Sequence, residues 1–173
     1  MNAPGGEPHG LIEPRVLRSA LGRFATGVTI VSCIDPASGQ PVGLTANSFN
    51  ALSLDPPLVL WSLRLASPSV PAFRAAAHFA VNVLAEGQVE LSRRFASQVG
   101  DKFGAGHWSP GLGGAPVLAG CAAVFECQAA QQQDAGDHVL FIGRVLRVSG
   151  AADGGVAPLV FQGGHYRMLG EVL

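Results

Sequence analysis

Glycine and proline punctuate this chain at 23 and 12 of its 173 positions, which points to many turns. Glycine weakens helix and strand interiors, and proline removes a backbone donor, so the fold must be assembled from short pieces joined by turns. Pro14 opens a helix in which Leu17, Ala20, Leu21 and Phe24 recur at i, i+3, i+4 and i+7, with Arg15, Arg18 and Arg23 off that stripe. It is expected to end near Thr26-Gly27. Residues 28–34 are short and β-branched, Asp35-Pro36-Ala37-Ser38-Gly39 is turn chemistry, and 42–51 follow as a second strand.

The apolar run 58–63, flanked by Pro56-Pro57 and Pro68, reads as a central strand buried on both faces. Ser67-Pro68-Ser69 caps a short helix over 72–77, and 79–84 returns to strand character. A further helix over 86–97 brings Leu91 and Phe95 together at i, i+4. Residues 99–116 carry glycine at 100, 104, 106, 111, 113 and 114 and read as a long loop. Residues 121–128 and 139–148 form an antiparallel hairpin turned over 131–137, and 159–162 with 165–169 make a last short pair around Gly163-Gly164. Many short strands, three helices and no regular βαβ alternation predict an α+β antiparallel barrel with a few flanking helices.

The length fits one domain over 14–173 behind a flexible leader at 1–13. Eleven Lys and Arg against 12 Asp and Glu give a net charge of −1, which offers no basic excess for nucleic acid. Charged residues are 13% against a typical figure of about 25%, and apolar ones 48%, so part of the surface is expected to hide against another chain. The apolar stretch 56–65 is interrupted by Ser62 and Arg64 and is far shorter than the roughly 20 residues that span a bilayer, so no membrane partner is expected. The first 13 residues lack a basic region followed by an apolar one, which makes the cytoplasm the expected location. Cys33, Cys121 and Cys127 cannot all pair and read as reduced core residues.

Recognisable catalytic machinery is nearly absent. Gly111-Leu112-Gly113-Gly114-Ala115-Pro116 ends in proline and follows no strand, so it is not a dinucleotide loop. The five histidines are dispersed, the cysteines lack a second pair, and no metal site is expected. If the chain is an enzyme, a cofactor supplies the chemistry.

Four groups of residues stand out. In Gly43-Leu44-Thr45-Ala46-Asn47-Ser48-Phe49-Asn50-Ala51 two asparagines interrupt a strand-like run, and alternation places Thr45, Asn47 and Phe49 on one face. The segment either lies against a flat heteroaromatic ring or is a strand end turning into a loop. Arg64 with Ser67-Pro68-Ser69 suits a phosphate, or is an ordinary helix cap beside a solvated arginine. Arg93, Arg94 and Lys102, the only lysine, hold the same phosphate or face solvent. Asp137-His138 opens a hairpin strand, where the imidazole points into a cleft or satisfies a turn, and Tyr166 and Phe161 flank a ring or fill the core.

Taken together, these segments resemble the flavin reductase-like family, the short-chain reductases of two-component monooxygenases. The resemblance is carried by Arg23-Phe24-Ala25-Thr26-Gly27-Val28-Thr29-Ile30-Val31, by Gly43 to Phe49 running on to Ser53-Leu54-Asp55-Pro56-Pro57-Leu58-Val59, by Phe79-Ala80-Val81-Asn82-Val83-Leu84 and by Gly136-Asp137-His138 through Gly143-Arg144-Val145. Pro158-Leu159-Val160-Phe161 and Gly164-His165-Tyr166 match its C-terminal signature, so the likeness spans about 15–169.

The resemblance implies a split β-barrel homodimer that binds FMN or FAD at the subunit interface, reduces it with NADH or NADPH and supplies it to a monooxygenase partner. It places Thr45, Ala46, Asn47 and Ser48 along the isoalloxazine, Ser62 and Leu63 beside the ribityl chain, and Ser67, Ser69, Arg94 and Lys102 near the phosphate. Thr29, Phe49, Phe95 and Tyr166 complete the implied cofactor set. His138 is implied to orient the nicotinamide. The alternative is a non-catalytic or electron-transfer protein that keeps FMN as a tight prosthetic group.

Overall fold

The computed structural model describes residues 12–104, 106–150 and 155–171. Most of the expected leader, 1–11, lies outside the described residues; Ile12 and Glu13 are exposed. Helix α1 (Pro14–Leu21) begins on its proline and stops earlier than its periodicity predicts: after Gly22, the Arg23 and Phe24 N–H groups bond three residues back, to Ala20 O and Leu21 O, instead of four. None of its residues is buried, so the stripe of Leu17, Ala20 and Leu21 faces outward. After it come β1 (Thr26–Gly27), β2 (Thr29–Ile34), β3 (Pro41–Ala46), β4 (Asn50–Leu54) and β5 (Pro57–Arg64). Helix α2 (Val70–Ala75), β6 (His78–Val83) and α3 (Val89–Ala96) follow, then β7 (Trp108–Pro110) and β8 (Pro116–Leu118). The hairpin β9 (Ala123–Ala135) and β10 (His138–Ser149) precedes β11 (Val160–Gln162) and β12 (His165–Arg167).

Seven strands form one antiparallel sheet in the order β3-β2-β6-β9-β10-β5-β4, while β1-β11-β12 and β7-β8 form small sheets. The expected α+β architecture of antiparallel strands and three helices is present, but β9 and β10 run to 13 and 12 residues, because residues 131–135 pair with β10 and the turn expected over 131–137 shrinks to Gly136-Asp137. Inside it, the run expected as one strand over 42–51 is two. The chain leaves the sheet at Asn47 to Phe49, so β3 and β4 become opposite edges of the same sheet. Strand β5 is next to an edge rather than central. Val59, Trp61 and Leu63 are buried, but Leu58, Leu60 and Ser62 on its other face are only partly so. Strands β2 and β6 are the ones buried on both faces: Val31 and Cys33 of β2 and Phe79 and Val81 of β6 join one core cluster, while Ile30 and Ala80 on the opposite faces join others.

The larger core lies between the sheet and α2. There Trp61 stacks on Phe141 with centroids 4.7 Å apart and meets Phe73 edge-on at 4.9 Å. Truncating Trp61 to alanine costs about 3–5 kcal/mol in such a setting. The second cluster gathers Val28, Leu84, Phe95, Leu118 and Leu159. Between them Asn82 is fully buried yet satisfied: its Nδ2 donates to Ile30 O at 3.0 Å and its Oδ1 accepts Leu118 N–H at 2.8 Å, which docks β8 on the sheet. The stretch read as a long loop over 99–116 thus contains strand β7, and β7 with β8 makes a small hairpin.

All three cysteines are unpaired thiols; burial pushes Cys33 and Cys127 up to about 12 and Cys121 to about 11. Among the described residues no helix is long and apolar enough to cross a membrane, and no group of three His, Cys, Asp or Glu side chains can hold a metal.

Candidate active site

The crossing segment that separates β3 from β4 is also hydrogen-bonded to β5. Ser48 Oγ accepts the N–H of Ser62 at 3.0 Å and donates to the carbonyl of the same residue at 2.9 Å. Strand β4 pairs with β5 only between Pro57 and Leu60, so Ser48 takes over where that pairing ends. Between β3, β5 and the segment after α3 lies a cleft of about 1200 Å³.

One side of the cleft is the outer edge of β3. Leu84 N–H donates to Val28 O, so Val28, Ile30 and Ser32 direct their backbone groups toward β6, and Thr29, Val31 and Cys33 direct theirs toward β3. Their partners Ala46, Leu44 and Val42 complete that ladder, which leaves Pro41, Gly43 and Thr45 pointing away from the sheet. Proline is tolerated there because an outward position needs no ladder donor. The result is a row of backbone groups facing the cleft: the N–H of Gly43 and the N–H and C=O of Thr45.

Of the residues singled out from the sequence, Thr45, Ala46, Asn47, Ser48, Ser62, Leu63, Ser67, Ser69, Phe95, Lys102 and His138 are brought together around this cleft. Their hydroxyls largely frame it. Thr45 Oγ1 donates to Ser92 O on α3 at 2.7 Å, and Ser67 Oγ accepts Ser69 N–H at 3.3 Å. Asn47 is exposed, and its carboxamide has no hydrogen-bond partner among the described residues. Helix α2 has only six residues, so the segment before it contributes hydroxyls more than a helix dipole.

His138 stands at the start of β10, directly across from Arg64 at the end of β5. Its Nδ1 is 2.7 Å from Asp137 Oδ1, and that hydrogen bond, then the charge of His138 and more weakly Arg64, hold the Asp137 carboxyl below the usual carboxylate range.

Four predicted residues stand behind the cleft instead of lining it. Thr29 is buried, and its Oγ1 donates to Ala46 O at 2.8 Å, which fixes the end of β3 from the back. Phe49 packs against the main core with its ring 5.5 Å from Phe125. Arg94 Nη2 donates to Asp101 O at 2.9 Å. Tyr166 lies in the second core cluster, where its hydroxyl is 2.9 Å from Ser92 Oγ. Alternation within one strand put Asn47 and Phe49 on a common face, but the break after Ala46 sends Phe49 inward and leaves Asn47 outside. Sequence reasoning overlooked Gly43 and Phe103 as cleft residues, although the glycine inside an edge strand is the mark of a close approach.

The model of the flavin reductase like domain matches residues 21–170. The chain belongs to the flavin reductase-like family. An FMN reductase (NADH), SmoA, of Agrobacterium fabrum is 46% identical over 163 residues, 94% of this chain and 87% of the relative. The reductase subunit HsaB of a flavin-dependent monooxygenase from Mycobacterium tuberculosis is 41% identical over 155 residues, 90% of this chain and 82% of its own. Among solved structures, the NADH:FAD oxidoreductase SgcE6 of Streptomyces globisporus, in complex with NAD and FAD fragments, superposes with a TM-score of 0.83 at 36% identity, covering 91% of this chain and 93% of that one. This family member spans only 52% of the length of another curated relative it matches, a probable flavin reductase.

Proposed function

We propose that this chain is an NAD(P)H-dependent flavin reductase that transfers hydride from NADH or NADPH to FMN or FAD in the β3–β5 cleft and supplies the reduced flavin to a partner monooxygenase. The observation that carries this reading is the unpaired outer edge of β3. Two N–H donors and one carbonyl acceptor stand in a line above a slot whose neighbours, Ala46, Asn47, Ser48 and Ser62, are small. That donor set fits the mixed donor and acceptor edge of a flavin ring, and the small side chains fit its flatness. Ser67, Ser69 and Arg64 give the cleft a polar end suited to a ribityl phosphate.

When bound, the flavin supplies the hydride acceptor, and the organic chemistry is its own. The chain's residues bind and orient. The β3 edge holds the ring, Leu63 gives it an apolar neighbour, and His138, steadied by Asp137, orients the nicotinamide at the open end. No side chain of the cleft is required as a nucleophile. Thr29, Phe49, Phe95, Arg94 and Tyr166 serve the site by fixing the strands and the helix that shape it.

The reading extends to residues 14–173 as one split-barrel domain, supported by the way Ser48 ties the β3 end of the sheet to β5. A homodimer is supported by apolar side chains left in solvent, among them Leu17, Leu21 and Phe24 near the N-terminus and Leu52 and Leu54 on β4. Three unpaired thiols fit a reducing compartment, the cytoplasm.

The test is anaerobic mixing with NADH and then NADPH, each with FMN and with FAD, followed by bleaching of flavin absorbance. Reduction of many equivalents of free flavin supports the reductase. Bleaching of a single tightly held equivalent makes the flavin a prosthetic group with another acceptor, and no bleaching at all overturns the proposal.

A further inference from the structure

The only lysine of the chain is not placed as a solvent-facing counter-charge. Lys102 Nζ donates to Phe95 O at 2.9 Å and reaches Gly43 O at 3.4 Å. Among the described residues no carboxylate lies within salt-bridge distance of it. An ammonium carries three donors and accepts nothing, so two of its hydrogens are directed at carbonyls and one remains. Partial burial holds its pKa below the usual lysine value.

Among the described residues, both acceptors are backbone groups without another partner. Phe95 is in the last turn of α3, whose final carbonyls have no intrahelical donor, and a cation there also meets the negative end of the helix dipole. Gly43 O is on the outward side of β3, beyond the ladder to β2. One ammonium therefore joins the helix end to the strand edge.

The surroundings repeat the same connection. Phe103 meets Phe95 edge-on at 4.9 Å and Trp108 at 5.7 Å. Arg94 Nη2 holds Asp101 O, and Asp101 Oδ1 accepts Phe103 N–H at 3.1 Å. A Cβ on Gly43 would lie 2.8 Å from Phe95 Cε1 and 2.9 Å from Phe103 Cζ, so the glycine is the seat on which both rings rest. The segment held down by these contacts, 97–103, is one wall of the cleft.

We propose that Lys102 is a positioning residue whose ammonium clasps the 97–103 wall of the cleft onto β3 and α3, and that its main role is this clasp, not neutralisation of a ligand phosphate. The inference rests on the flavin reading of the cleft. Removing the clasp lets the wall move away from the ring slot, so affinity falls for any flavin, phosphorylated or not. A phosphate ligand would behave differently, because riboflavin has no phosphate to lose.

Fluorescence titration of riboflavin and FMN against wild type, Lys102→Met and Lys102→Arg separates the two roles. The clasp predicts that Lys102→Met weakens both flavins by a similar factor, about 10- to 100-fold, as for loss of charge-assisted hydrogen bonds. Lys102→Arg, whose fork reaches two carbonyls, restores both to within about threefold of wild type. Loss confined to FMN, or no loss for either flavin, overturns the clasp. Arg94→Ala keeps the question decidable if Lys102→Met does not fold, because the clasp predicts a smaller loss shared equally by the two flavins and a phosphate role predicts loss for FMN alone. Amide hydrogen exchange over 97–103 in the unliganded protein is a separate readout: it accelerates in Lys102→Met if the clasp is right and stays unchanged if it is wrong. Should wild type bind neither flavin, the proposed function fails, while exchange still tests the clasp.

Discussion

The two edges of the seven-stranded sheet, β3 and β4, are only a crossing segment apart in sequence and are treated in opposite ways. Strand β3 carries proline at an outward position, is overlain by α3 and has one of its outward carbonyls taken by Lys102. Strand β4 is bare: Leu52 and Leu54 are 45% and 94% exposed, and among the described residues no strand pairs beyond it. An open edge is a template for association unless something blunts it. The covered edge is the one proposed to take a small ligand, because few backbone groups stay free there and their surroundings are fixed. The uncovered one suits another protein chain.

The largest expected effect is on the covered edge. Gly43→Val forces a side chain into space held by Phe95 and Phe103, and it should cost about 1–3 kcal/mol in urea unfolding together with most of the flavin affinity. Normal stability would show that the seat is looser than the contacts imply. Next, Leu54→Arg on the bare edge should leave the folded chain within about 0.5 kcal/mol of wild type. It should nevertheless weaken self-association about tenfold or more in sedimentation experiments if β4 is part of the dimer contact. Unaltered association would move the contact elsewhere, with α1 the next surface to test.

A smaller effect comes from behind the covered edge. Tyr166→Phe removes the hydroxyl beside Ser92 Oγ, and Ser92 O in turn receives Thr45 Oγ1, so the change should cost about 0.5–1.5 kcal/mol with flavin affinity reduced a few-fold. Unchanged affinity would show that the cleft does not feel this buried connection. The smallest concerns the exposed Asp137–His138 corner. Because the Asp137 pKa is lowered in the fold, the pairing is present above the ordinary carboxylate pKa of about 3.9 and is lost as pH falls through the lowered value. A carboxyl NMR titration should therefore give a midpoint below that of an ordinary aspartate, and His138→Ala should return it toward normal.

Most of the strand positions were legible in the sequence, whereas the contrast between the two edges was hidden for physical reasons. Period-two patterns, proline positions and Gly163-Gly164 locate most strands, because local backbone preference and burial agree there. Asn47 gave the warning that 42–51 is not one strand, since asparagine favours turns, yet nothing local says that the chain will cross to the opposite edge. Ser62 likewise looked like an interruption in a buried run; its face is half-open because the cleft lies over it. The small β7–β8 hairpin is masked by the glycines around it, and its pairing of Trp108 with Leu118 is a tertiary contact. Residue chemistry at the site was readable, but direction was not. Thr29, Phe49, Arg94 and Tyr166 have suitable side chains and turn them to the frame, and the acceptors of Lys102 are backbone atoms 7 and 59 residues away.

That lone lysine has a practical side as well. A crosslinker or label that seeks lysine amines finds a single side chain in this chain, and it is tucked against the wall of the proposed flavin cleft. Crosslinking through lysine side chains to a proposed oxygenase partner would therefore sample one side chain, and that side chain lies at the proposed site. Mapping the docking face calls for carboxylate chemistry or photoreactive groups, while the extent of amine modification at Lys102 becomes a gauge of whether the cleft is open or filled.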